Sequence, residues 1–198
     1  MNKIMVLLIA SLLVSGCATK TYNINKADDK GQPVLALDYR DFDYAVKELV
    51  QSLLSSGVLK KDDGGKYVCT TAEITNDTTQ QIDTRQLMSS IEEQLINSGQ
   101  VDMTSAIGDP MDEMLMDSRD LRESDEFNKK TTIPKGQLIS PELSFSGQIF
   151  QRIISYNKKT NQVEYYIELI VTNLKTGLRF WQKQVQILKR GSVNAPIW

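Results

Sequence analysis

Residues 143–189 read LSFSGQIFQRIISYNKKTNQVEYYIELIVTNLKTGLRFWQKQVQILK, and this stretch decides the fold. Three runs rich in β-branched and apolar residues, Leu143 to Tyr156, Gln162 to Thr172 and Leu178 to Lys189, are separated by the turn-forming Asn157–Asn161 and Leu174–Gly177. Short polar turns between such runs predict an antiparallel meander. Along the middle run Val163, Tyr165, Ile167, Leu169 and Val171 share one face, while Glu164, Tyr166, Glu168 and Ile170 share the other. Side chains alternate across a strand, so this strand is predicted to have one face buried and one face more polar.

Upstream of the meander, Phe42, Ala45, Val46, Leu49 and Leu53 recur at helical spacing between Asp41, which can cap, and Gly57. This predicts a helix over 41–56. A turn at Lys60–Lys66 leads to a buried strand, Tyr67 to Ile74, ending at Thr75, Asn76, Asp77 and Thr78. Asp83 with Gln86 three places on is a capping-box signature for a second helix carrying Leu87, Met88, Ile91 and Leu95, closed by Gly99. A short strand at Val101–Met103 follows, then a charged, marginally amphipathic helix over 112–129 after Gly108 and Pro110. The order helix, strand, helix, strand, helix and three strands predicts one α/β (α+β) domain, a mixed sheet with a C-terminal antiparallel meander covered by helices.

Composition removes several function classes. The chain has 198 residues, 23 basic and 25 acidic, a net charge of -2 and no histidine. Without histidine the commonest general base, zinc ligand and triad member are missing. The near-neutral balance lacks the cationic excess that nucleic-acid backbones require. The carboxylates between 109 and 126 are interleaved with Arg119 and Arg122 at helical pairing distance, so they read as a solvated face and no metal site is expected. Ser155–Lys158 fits S-x-x-K and Lys175–Gly177 fits K-T-G, two marks of penicillin-recognising enzymes, but both fall at hairpin turns and no S-x-N lies between them. No phosphate-cradling glycine motif or calcium loop is present, so no cofactor or small-molecule substrate is expected; a glycosidase-type pair of carboxylates, which meets only in three dimensions, stays open at this point.

The N-terminus reads as an address. Lys3 precedes an apolar run from Ile4 to Leu13, followed by Val14, Ser15, Gly16 and Cys17. Ten or so apolar residues are too few to span a bilayer, so residues 1–16 are expected to be a cleaved signal peptide. Small residues before a cysteine resemble the bacterial lipoprotein cleavage box, which implies acylation of Cys17. Ala18 follows, where an aspartate would imply retention at the inner membrane, so the outer membrane, on its periplasmic face, is the expected location. With Cys17 acylated, Cys69 is left without a disulfide partner and is read as a small buried hydrophobe. Residues 17–33 are the lipidated N-terminus and a polar tether; Thr19 to Pro33 reaches at most about 50 Å. Residues 34–198 are the globular domain.

The stretch Val68-Cys69-Thr70-Thr71-Ala72-Glu73-Ile74-Thr75-Asn76-Asp77-Thr78, with Ile82-Asp83, Leu87, Ile91, Leu95 and Ser98-Gly99, resembles the LpoB family of penicillin-binding protein activators. Leu143–Ile149 resembles that family's strand of similar pattern, and Leu174-Lys175-Thr176-Gly177-Leu178-Arg179-Phe180-Trp181 its turn ending in tryptophan. The resemblance implies an outer-membrane lipoprotein with a domain similar to the N-terminal domain of TolB and to CsgG. It further implies a non-enzymatic protein that binds a bifunctional peptidoglycan synthase and activates it. The tether here is short, with one proline, where enterobacterial members carry a long proline-rich one. A structural or assembly lipoprotein binding another envelope protein, or a CsgG-like secretion component, is the alternative. Candidate contact residues are Asn76, Asp77 and Thr78, beyond the C-terminal end of a strand, and Arg179 and Trp181, a cation beside an aromatic anchor. For Asn76 a turn-forming role, and for Trp181 a core role, is the competing reading.

Overall fold

The computed structural model describes residues 22–29, 31, 34–108 and 111–195. The expected signal peptide and Cys17 lie outside them, as does part of the tether. The chain divides into two compact units, 1–33 and 34–198. Within the first, Lys26–Asp28 forms a 3-10 turn capped by the Asn25 side chain.

The second unit contains α1 (Tyr39–Ser55), β1 (Tyr67–Asp77), α2 (Thr84–Ser98), β2 (Val101–Met103), α3 (Glu113–Asp120), β3 (Leu143–Asn157), β4 (Thr160–Asn173) and β5 (Arg179–Ser192). The sheet order is β2-β1-β3-β4-β5. β1 is parallel to both neighbours, and β3, β4 and β5 form the expected antiparallel meander. The α+β reading therefore holds; β4 and β5 run two to three residues beyond their predicted bounds, shortening the first turn to Lys158 and Lys159, and three further elements differ.

Helix α1 starts two residues earlier than its apolar periodicity suggests. Asp38 is the cap, accepting from the Arg40 N–H, and Asp41 returns the bond as the third helical residue, 2.8 Å from the Asp38 N–H. The Arg40 guanidinium hydrogen-bonds Asp38 and holds its carboxyl below the ordinary value. Strand β1 continues through Asn76 and Asp77, which pair with Ile149 and Phe150. Helix α3 stops at Asp120 and tightens into a 3-10 turn at Leu121–Glu123, far short of residue 129. It has no buried residue, so nothing extends it.

Helices α1 and α2 lie side by side on one face of the sheet. Their buried residues, including Ala45, Leu49 and Leu53 of α1 and Leu87, Ile91 and Leu95 of α2, meet Phe145, Ile149, Val163, Tyr165, Ile167 and Leu169. The buried set of β4 is the one its alternation predicts. Each fully buried leucine or isoleucine contributes about 2 kcal/mol. Cys69 has no exposed surface, and burial pushes its thiol up to about 12, so it stays protonated and packs as an apolar group.

A strap at the N-terminus of this unit closes the core. Leu35 and Leu37 are buried. The buried Tyr165 hydroxyl donates to Leu35 O at 3.1 Å, and Lys189 Nζ donates to Ala36 O at 2.7 Å. The edge strand β5 turns Lys183 and Lys189 toward α1 and the strap, where Lys183 donates to Glu48 O at 3.5 Å. Inward-facing charge on an edge strand discourages pairing with another strand.

Candidate partner-binding surface

The C-terminal end of β1 carries the first group of candidate residues, and there local structure takes up most of their polar atoms. Asn76 Nδ2 donates to Gln80 O at 2.9 Å, and Thr78 Oγ1 donates to Asn76 Oδ1 at 2.8 Å. Thr79 donates its N–H and hydroxyl to Gln151 Oε1 at 2.9 and 3.0 Å. The loop so shaped aims Gln80 at the strap. Gln80 Oε1 accepts from the Leu37 N–H at 2.9 Å, and its Nε2 donates to Leu37 O at 2.8 Å. Asn76 and Thr78 thus serve the turn, while Asp77 is exposed beside Phe150. Gln80 was not legible as a candidate: its partner lies 43 positions away, and an isolated glutamine carries no local signal.

The second group lies at the other end of the sheet. Arg179 pairs with Thr172, level with Ser144 and Thr70, whereas Asn76 is level with Ile149, Ile167 and Val185. Five residues of the regularly paired β3 and β4, at about 3.3 Å each, put the two groups about 17 Å apart along the strands. They form no common site. Trp181 is half-buried against the core, beside Val171, so it serves packing as well as surface.

Around Arg179 the structure assembles a different set. A bulge between Val171 and Thr172 leaves Phe180 unpaired, and its ring meets Tyr67 edge to face, 6.0 Å between centroids at 80°. Lys61 Nζ lies 5.1 Å from the Tyr67 ring centroid and 2.9 Å from Glu142 Oε2. Glu142 also accepts from the Val68 N–H at 3.3 Å. The hydrogen bond to Lys61 holds the Glu142 carboxyl below its ordinary value, and the same contact raises Lys61. Leu178, 67% exposed, and Leu174, 45% exposed, flank this cluster with Arg179. Aromatic, leucine and arginine side chains on a fixed backbone suit a protein partner. The bulge that exposes Phe180 leaves no mark in the local sequence.

The sheet face opposite α1 and α2 is polar and tightly tied. Phe150 and Tyr166 stack at 4.9 Å and 12°. Tyr166 Oη donates to Glu164 at 2.8 Å, Gln162 Nε2 donates to the same carboxylate at 2.7 Å, and Gln186 Nε2 donates to Tyr166 Oη at 3.0 Å. These bonds, that from Tyr166 foremost, hold the Glu164 carboxyl low. Arg190 lies over the Tyr156 ring at 4.1 Å.

The two penicillin-enzyme motifs flank the 14-residue β4, the first on the end of β3 and the turn before β4 and the second beyond its other end. Their side chains cannot share a site. Among the described residues no cluster of three histidine, cysteine or acidic side chains could hold a metal, and no helix is long and apolar enough to cross a membrane.

Comparison with known proteins adds the following. The profile of a family described as the peptidoglycan-synthase activator LpoB matches residues 41–187. Among solved structures, the C-terminal domain of LpoB from Salmonella enterica is similar at 12% identity over 74% of this chain and 98% of that one, with a TM-score of 0.43. The corresponding domain from Escherichia coli is 11% identical over 74% and 98%, with a TM-score of 0.45. A lipoprotein from Neisseria meningitidis is 9% identical over 66% and 86%, with a TM-score of 0.37. No curated protein matches the sequence significantly.

Proposed function

Because this chain belongs to the LpoB family of peptidoglycan-synthase activators, we propose that it is an outer-membrane lipoprotein, acylated at Cys17, that activates a bifunctional peptidoglycan synthase without being an enzyme itself. The observation that carries this reading is the extent of the family match, which runs from the first turn of α1 into β5 and so takes in all three helices and the meander.

An activator of this kind acts through differential affinity. It stabilises the active conformation of the synthase only by as much as it binds that conformation more tightly, and each tenfold shift corresponds to about 1.4 kcal/mol. The proposed contact is the end of the sheet where Arg179, Phe180 and Leu178 stand exposed beside the Lys61–Glu142 pair. The replacement Arg179→Ala with Phe180→Ala removes an exposed cation and a surface ring. Glycan polymerisation by the purified synthase is expected to be stimulated at least tenfold less by this variant, with its circular dichroism unchanged. Full stimulation by a folded variant would move the contact elsewhere.

Membrane attachment is tested separately. Acyl chains on Cys17 contribute about 0.8 kcal/mol per buried methylene. The Cys17→Ala chain is expected to leave the washed outer-membrane fraction and to lose incorporation of labelled palmitate. Unchanged fractionation and labelling would remove lipidation from the reading.

A further inference from the structure

Strand β3 outruns its neighbour on one side. Its pairing with β1 ends at Phe150, opposite Asp77, while its pairing with β4 continues to Asn157. Among the described residues no hydrogen bond from outside the ladder with β4 reaches the backbone of residues 152–156. Alternate N–H and C=O groups of that stretch therefore face the open side where β1 would have run on. The helical layer gives out at the same level. On the helix side of β3, Ile149 has no exposed surface, whereas Ile153, four residues on, is 45% exposed. At the junction Gln151 Oε1 accepts from the Thr79 N–H and hydroxyl, and its Nε2 is left buried with no acceptor.

The other edges of the sheet are guarded. β2 is only three residues long, β1 beyond it is irregular between Thr71 and Ile74 and carries the exposed Glu73, and β5 turns Lys183 and Lys189 inward. Short strands, bulges and inward charge all protect an edge from pairing. From Gln151 to Ser155 β3 has none of these, and its irregular step comes only after Ser155. Five residues of regular edge span about 17 Å. Charge selects the occupant. Residues 149–163 contain Arg152, Lys158 and Lys159 and no carboxylate, and all three cations are exposed. Glu164, on β4 level with Arg152, is buried and held by Tyr166 and Gln162. A second copy pairing through the same edge would set three cations of each copy against those of the other. The chain's own residues 17–33, with three lysines and two aspartates, bring no excess of negative charge.

We propose that this edge of β3 receives, by strand addition, an extended segment of a separate protein that alternates apolar and acidic residues. Side chains of an added strand fall alternately on the two faces of the sheet. The apolar set then lies beside Ile153 on the helix side and the acidic set beside Arg152 on the other. Main-chain hydrogen bonds supply the affinity, and the carboxylates choose the partner and its register. The inference stands apart from the synthase contact, since Arg179 lies at the opposite end of the sheet.

The test uses the full chain in non-ionic detergent, with no synthase present, and three end-blocked octapeptides. One alternates valine with glutamate, the second carries lysine in place of glutamate, and the third is the glutamate peptide with every amide N-methylated. The glutamate peptide is expected to bind with a Kd below about 1 mM. It should slow amide hydrogen exchange at alternate residues of 152–156 at least tenfold and leave β5 unchanged. The lysine and N-methylated peptides should each bind at least tenfold more weakly, since one lacks the charge and the other the main-chain donors. Arg152→Glu with Lys158→Glu should weaken the glutamate peptide at least tenfold, with circular dichroism matching that of the parent chain. Exchange at 152–156 that about 1 mM glutamate peptide leaves unchanged overturns the proposal. So does equal binding of either control peptide, or slowing that falls on β5 instead. Slow exchange at 152–156 without peptide, quickening on dilution, also overturns it by giving the edge to a second copy.

Discussion

Replacing Gly147 by alanine is expected to destabilise the fold by about 3 kcal/mol or more, a loss at the upper end of those caused by overpacking. Gly147 lies in β3, the middle strand, opposite Leu169. A methyl group there would run into the carbonyl oxygen of Glu168 and lie 3.4 Å from Ile74 Cγ1. Both neighbours are committed. The carbonyl belongs to a strand hydrogen-bonded on either side, and Ile74 is a buried residue at the irregular step between Thr71 and Ile74 of β1. Total stability of a domain is only about 5–15 kcal/mol, so the urea midpoint should fall sharply. Gly65→Ala is the control, because its added methyl would meet only the flexible side chain of Asp63. A midpoint change at 147 as small as that at 65 would mean that β3 and β4 can part locally.

Lys189→Met is expected to cost about 3 kcal/mol, the scale on which a nearly buried ion pair suffers when one partner is removed. Lys189 pairs with the Asp41 carboxylate, the two side chains being 11% and 15% exposed, and donates to Ala36 O. Asp41 also receives the Asp38 N–H in the capping box. Methionine retains the length of the stem and removes the charge, so a carboxylate is left facing a carbonyl oxygen with little water. Adding Asp41→Asn should recover much of the loss, and a double-mutant cycle by urea denaturation measures the coupling. Hydrogen exchange in the first turn of α1 should quicken in Lys189→Met. Equal losses from the single and double variants would show that the stem, rather than the charge, holds the strap.

The sequence made the meander legible because Val163 to Val171 alternates over one whole strand, and alternation reports burial on one face. It placed α2 closely, since Asp83 and Gly99 act through their immediate neighbours. It misjudged the start of α1 because Asp38 and Asp41 are both cap-forming residues, and only the folded backbone shows which one leads the box. The extension of β1 through Asn76 and Asp77 depends on β3, far along the chain, and overrides turn-prone residue types. Of the candidate contact residues, Arg179 is exposed, whereas Trp181 shares itself with the core and Asn76 is used by its own loop. Tyr67, Lys61, Glu142 and Phe180 come together only through a bulge and three separate segments.

The strap has a mechanical consequence. A pull on the chain at Val34 reaches the domain through Leu35–Leu37, whose backbone groups are gripped by Tyr165, Lys189 and both ends of the Gln80 amide. Those grips come from β4, β5 and the loop after β1, so the load is divided among separate parts of the sheet. Lifting the strap breaks four hydrogen bonds and draws two leucines out of the core. The chain's entry into the domain is thus shared among three parts of the sheet rather than hung on one.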